Sequence, residues 1–468
     1  MTAEIAVMNR AGIALAADSA VTVTFGSRSP KIYSTNKLFM LSKRYPVGIM
    51  IFGNANLMGI PWEIIIKEYR KKHLAENSYP KLVDYGSDFI KFLNKNTFFF
   101  TDEVQKLNLL FLFDRELRLI LKKYEESLFE RLADVKDAND KQEISDAVQS
   151  TFDSVVEERL EELKRLDNLG TFKITKNRFN QVYSSWIDYL VEKIPDKYRI
   201  RYGAEVTEDL KPLIKQILYL AVVKNTFENN SSTSGIVIAG YGEKEIYPSL
   251  NAYDIEIVVD DKLKFLETKN IAIDIINDSY VEPFAQDDMV QTFMRGVSPN
   301  YEYLVDTLIE DFVNKYPEAV ADKITQTLPK AGITDEQRNS FVEQLKEIGK
   351  GFLKDFQDGT KEWVEKNNKS QIEIAVAMLP IDELASMAAA LVNLTSQKRR
   401  YTPDEETVGG AVDVAVITKG DGFIWIDRKH YFEREKNPHF FANYYEGESE
   451  NEKQQSKNGN TRQGIKTK

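Results

Sequence analysis

The chain has 468 residues, of which 73 are acidic and 62 basic, giving a net charge of −11; this balance argues against a general nucleic-acid or anionic-membrane binder. It has no cysteine and three histidines, His73, His430 and His439, which removes disulfides, thiolate nucleophiles and Cys-based zinc sites and leaves a Ser-His-Asp triad poorly supplied. No apolar run approaches the ~18 residues of a spanning helix, and no basic region with an apolar stretch behind it opens the chain, so the expectation is a soluble, cytoplasmic protein without membrane or nucleic-acid partners.

In chain order, Glu4 to Met8 and Ile13 to Ala17 are short β-favouring runs around Asn9-Arg10-Ala11-Gly12, a hairpin signal. Small residues dominate the second run, which predicts another backbone packed closely on it. Lys37 to Leu41 and Val47 to Phe52 read as two further strands, and from Pro61 the spacing of Ile64, Ile65, Glu68 and Tyr69 predicts a helix with cations at its C-terminal end. Residues 76–231 are dominated by apolar positions recurring every three or four residues with mixed charges between them, the pattern of amphipathic helices.

Strand character returns at SGIVIAGYGEKEIYPSL and continues through DIEIVVDDKLKFL and NIAIDII. A second helical segment covers 296–379, followed by a helix from Ile381 to Leu394 and the pair AVDVAVITKGDGFIWI, whose Lys419-Gly420-Asp421-Gly422 centre marks a hairpin. The stretch 433–468 is nearly devoid of apolar residues and reads as a disordered tail. Residues 1–75, 232–295 and 380–432 therefore form one expected core, interrupted by two helical insertions.

Three stretches in this order, GIALAADSAVT with KIY and IFGNANLMG, then SGIVIAGYGEKEIYPSL, then ETVGGAVDVAVITKGDGFIWI, resemble a proteasome β-subunit of the N-terminal-nucleophile hydrolase superfamily. The resemblance covers roughly 190 residues, and the helical insertions have no counterpart in it. It implies an α+β fold, a four-layer αββα sandwich, and a threonine-type peptidase or amidohydrolase; no Walker loop, GxGxxG or EF-hand spacing in the sequence points to a metal or organic cofactor. In such enzymes an N-terminal threonine attacks a carbonyl, its own amine acts as base, and an ester intermediate is hydrolysed.

Carried over residue by residue, the resemblance places the nucleophile at Thr2 once Met1 is removed, the orienting carboxylate at Asp18, the lysine at Lys31 of PKIY and the oxyanion N–H at Gly53. Lys37 is the second candidate should the loop register differ. Glu405 falls where the family has an aspartate in its closing motif, and Thr22 falls in the segment that pairs with extended substrate. Read alone, Asp18 is a strand-end turn former, Gly53 a turn glycine and Thr2 a strand-start residue.

Departures accompany the matches: Ala20 stands where the family has arginine, Val408 where it has a serine, and Ser279 is the nearest hydroxyl to a further expected serine, with no role assigned. Three functions remain open on the sequence. They are an N-terminal-threonine peptidase with peptide substrates, the same chemistry on a small amide, and a catalytically silent scaffold. A homo-oligomer is compatible with each.

Overall fold

The computed structural model describes residues 3–23, 31–74, 77–96, 98–133, 140–194, 200, 203–228, 232–327, 333–402, 409–430, 432–439 and 442. The chain divides into two units, residues 1–426 and 427–468, so the division falls a few residues ahead of the expected tail. Most of that tail, from 443 onward, lies outside the described residues.

Two five-stranded sheets organise the first unit. The first contains β1 (Ala3–Asn9), β2 (Gly12–Ala17), β12 (Ser279–Ala285), β13 (Asp413–Thr418) and β14 (Gly422–Asp427), in the order β12-β1-β2-β13-β14. The second contains β5 (Leu38–Met40), β6 (Val47–Gly53), β9 (Ser234–Gly240), β10 (Ser249–Val259) and β11 (Lys262–Ala272), in the order β11-β10-β9-β6-β5. Two ribbons complete the strands: β3 (Ala20–Val23) with β4 (Lys31–Ser34), and β7 (Asn56–Leu57) with β8 (Ile60–Pro61). The first sheet thus draws strands from both ends and the middle of the chain, as one interrupted core requires.

Alternation decides what each face meets. Along β1, Ile5 and Val7 pack with residues of α10 (Ser370–Ala377) and α11 (Ile381–Tyr401), whereas Ala6 and Met8 join a cluster with Met50, Val237 and Ala252 of the second sheet. The outer face of the second sheet, including Ile49, Ile236 and Tyr253, shares one large cluster with α1 (Trp62–Lys72), α2 (Leu82–Lys95), α3 (Asp102–Ala133), α4 (Lys141–Arg165), α5 (Lys176–Glu192) and α6 (Leu210–Val223). The residues of the first helical insertion are therefore continuous with the core. On the Ala-rich β2, Ala14 and Ala16 share a cluster with Ala385 and Ala388 of α11, the close packing its small residues predict.

The second insertion behaves differently. After α7 (Asp288–Arg295), which ends at Gly296 in the left-handed region (φ 72°), α8 (Pro299–Thr327) and α9 (Asp335–Val364) run as an antiparallel hairpin. Thr334 caps α9 by accepting from the Gln337 N–H, and Gln337 reaches back to the Thr334 N–H, closing a capping box. A five-residue π-helical segment, Glu365–Lys369, links α9 to α10.

Candidate active site

The site forms where β1 begins and β2 ends. Ala3 and Asp18 bond each other twice: the Ala3 N–H donates to Asp18 Oδ1 (3.1 Å) and the Asp18 N–H donates to the Ala3 carbonyl (3.1 Å). The N–H groups of Ala20 (3.2 Å) and Gly409 (3.0 Å) donate to Asp18 Oδ2, and the Lys37 ammonium donates to Oδ1. Four donors thus meet a carboxylate with about four lone-pair sites. Asp18, 1% exposed, is held in one orientation by these donors.

The segment ahead of β13 locks this end of the sheet. The Gly409 carbonyl accepts from the N–H groups of Ser19 (3.2 Å) and Ala20 (3.0 Å). At Gly410, φ is +78°, and a Cβ would lie 2.5 Å from Ser19 Oγ, so glycine alone fits without displacement. The second glycine of TVGGAVD therefore has a packing explanation of its own.

The ammonium seen on Asp18 belongs to Lys37, the second of the two sequence candidates. Backbone pairing gives the reason. In the β3–β4 ribbon Ser34 lies opposite Ala20, beside Asp18, and Lys31 lies opposite Val23, three pairs and roughly 10 Å further out at ~3.3 Å per residue. The Thr35 N–H then donates to the Ser19 carbonyl (2.8 Å), which returns the chain to Asp18 two residues before Lys37. The Lys31 side chain lies outside the described residues, as do the Thr22 side chain and all of Thr2, Glu405 and Val408.

Lys37 also approaches Glu4 (Nζ to Oε1 3.7 Å), and the three side chains are 3% exposed or less. The sequence reading did not single out Glu4. Its signal was available: a charged residue at an inward-facing position of a strand otherwise made of AEIAVMN. Such a group is buried only when paired.

Lys37 is tied in turn to the next strand, since its carbonyl accepts from the Ile51 N–H (2.9 Å). Two residues on, β6 ends at Gly53, with φ +75° and a Cβ position 2.6 Å from the Thr233 carbonyl oxygen. Asn54 closes the turn by donating its N–H to that same oxygen (3.0 Å). A cavity of about 370 Å³ starts one residue past Gly53, lined by Asn54, Asn56 and Ser232 and, from the helical insertion, by Asn108, Phe111 and Arg115.

A buried ionic network clamps that insertion to the sheet. Arg115 bonds Glu256 (2.7 Å) and Glu116 (3.1 Å), Arg159 bonds Glu116 (2.7 Å), and Lys264 bonds Glu256 (2.7 Å) and the Ala221 carbonyl (2.9 Å). Burial works to raise the Glu256 carboxyl, but Lys264 and Arg115 beside it hold it below the usual range. Burial pushes the Lys264 ammonium down against the pull of Glu256.

Ser279 belongs elsewhere. It lies opposite Asn9, at the far end of β1, and its hydroxyl donates to the Glu373 carbonyl (2.7 Å). At the near end Ala285 lies opposite Ala3, and the next residue, Gln286, is buried. His73 stacks on Tyr69 (5.5 Å) in an aromatic cluster, as a structural histidine does. Among the described residues no group of three or more His, Asp or Glu is placed to hold a metal ion, and no helix is long and apolar enough to cross a membrane. Comparison with protein-family models, curated proteins and solved structures gives no match.

Proposed function

We propose that the chain is an N-terminal-threonine hydrolase of the proteasome-like type, cleaving amide bonds of peptides through Thr2 after removal of Met1. One observation carries the reading. The Asp18 carboxylate binds both the Lys37 ammonium and the N–H of Ala3, and covalent geometry keeps the Cα of residue 2 about 3.8 Å from that of Ala3. A cation held there is within reach of a hydroxyl on residue 2, where it favours the alkoxide over the alcohol and a neutral over a protonated amine.

In this mechanism the Thr2 hydroxyl adds to the scissile carbonyl while its proton passes to the Thr2 amine. The tetrahedral oxyanion collects at the Gly53 N–H, and the C–N bond breaks as the amine returns the proton to the leaving nitrogen. Water then cleaves the ester by the same route in reverse. Asp18 and Lys37 position and polarise, and Glu4 stands beside Lys37 as a second carboxylate. Two sheets packed face to face, with helices on both outer faces, support assignment to the superfamily's αββα sandwich.

The cavity beside Gly53 offers room for a substrate side chain, and Asn54, Asn56 and Asn108 in its lining suit a polar one. The silent-scaffold reading keeps one specific observation in its favour: Ser279, the nearest hydroxyl to the serine that the resemblance calls for, lies at the far end of β1. Hydrolysis of a library of fluorogenic peptide amides separates the two. The enzyme reading expects turnover that is lost in Thr2→Ala and reduced by orders of magnitude in Lys37→Ala, with Lys31→Ala unaffected. No turnover in wild-type protein with a free Thr2 amine supports the scaffold.

A further inference from the structure

The α8–α9 hairpin exposes its large apolar residues and buries its small ones. Between the helices lie Val313, Pro317, Ala321 and Val342, with Gly349 against Val313. Ion pairs Lys346–Glu318 (2.8 Å) and Arg338–Asp322 tie the two strands of the hairpin together. By contrast six large apolar side chains on α8 and five on α9, eleven in all, are more than a third exposed.

These side chains are not scattered. On α8, Leu304, Leu308, Phe312 and Tyr316 recur every four residues; on α9, Ile348, Phe352 and Phe356 do the same. At ~100° per residue each set makes a single stripe rather than a ring of isolated contacts. Where the helices meet α7, Tyr301, Phe356 and Trp363 converge around a cavity of about 430 Å³. Arg295, Glu302, Asp306 and Lys361 line the same hollow, so aromatic side chains meet a polar border there, as at the edge of an interface.

Magnitudes identify the occupant. Large apolar and aromatic side chains carry about 150–250 Å² each, so eleven of them roughly half exposed present about 1,000 Å². This exceeds the few hundred Å² of a monomer's ordinary patches and meets the ~800 Å² per partner of a stable complex. The two helices carry 13 carboxylates and 7 cations, 13 − 7 = 6 in excess, which disfavours anionic lipid and nucleic acid. Neither stripe contains a charge that would select an oppositely charged partner, whereas an isologous contact needs only the same apolar patch on both sides.

We propose that the hairpin is a dimerisation arm, and that its occupant is the hairpin of a second copy of this chain, the two forming an antiparallel four-helix bundle. The proposal is independent of the catalytic reading. Its test is the solution mass of the full chain by light scattering and sedimentation velocity at ~10 μM. The expected mass is twice 53.8 kDa, falling to the monomer value in Leu308→Glu/Phe352→Glu with unchanged far-UV circular dichroism. Should that pair fail to fold, Leu308→Gln/Phe352→Gln replaces it. A monomeric wild type overturns the proposal, as does a folded double variant that keeps its assembly, or a monomer that co-sediments with neutral phosphatidylcholine vesicles through the same residues.

Discussion

Replacing Lys37 by Met keeps the length of the side chain and deletes its charge. The Lys37, Asp18 and Glu4 side chains are 3%, 0% and 0% exposed, so the substitution leaves two carboxylates in a space with little water. Breaking a buried pair by removing one partner costs ~3–5 kcal/mol. Asp18 retains three backbone N–H donors, from Ala3, Ala20 and Gly409, which places the expected loss near the lower end, about 3 kcal/mol. The assay is equilibrium denaturation in urea, comparing midpoints at unchanged slope. Asp18→Asn in the Lys37→Met background should recover part of the loss, with a coupling of at least ~1 kcal/mol in the double-mutant cycle. Lys31→Met, on the outer end of its ribbon, should fall within ~0.5 kcal/mol of wild type. A neutral Lys37→Met, or equal losses at Lys31 and Lys37, would refute the assignment of the site lysine.

Gly53→Ala should destabilise by about 1–3 kcal/mol, because it forces a side chain into a positive-φ turn and against the Thr233 carbonyl; the urea midpoint reads this, and an unchanged midpoint would show the turn to be relaxed. Burial pushes the Asp254 carboxyl up to about 6. Because its folded value lies above the unfolded one, its contribution to stability is fully present below about pH 4 and is lost as pH rises through 6. Asp254→Asn should therefore gain up to roughly 2–3 kcal/mol at pH 8 and almost nothing at pH 4, and equal gains at both pH values would contradict the shift.

Short apolar, β-favouring runs bounded by turn residues located β1, β2, β6 and β9 to within a residue or two, because strands packed between two layers are buried on both faces. Asp18 and Gly53 were legible as strand-end residues for the same reason. The choice between Lys31 and Lys37 was not, since it depends on how far the β3–β4 ribbon extends before the chain returns to Ser19, and cross-strand register is a tertiary property. Ser279 illustrates the same limit: only the pairing of β12 with β1 reveals that Ala285, not Ser279, lies opposite Ala3. Glu4 was overlooked because a charge inside an apolar strand reads as an exception until its partner, 33 residues later, is placed beside it. The helical segments announced their helices by apolar spacing, but spacing alone did not distinguish the first, whose apolar faces join the sheet, from the second, whose apolar stripes face outward.

The central claim is that residue 2 supplies the nucleophile. Its most direct measurement is peptide-resolved mass spectrometry of the mature protein after treatment with a β-lactone aimed at N-terminal threonines. The account predicts a chain beginning at Thr2 and one acyl adduct on that residue, absent from Thr2→Ala and formed orders of magnitude more slowly in Lys37→Ala. A chain that retains the residue ahead of Thr2, or an adduct formed equally by wild type and Thr2→Ala, would contradict it.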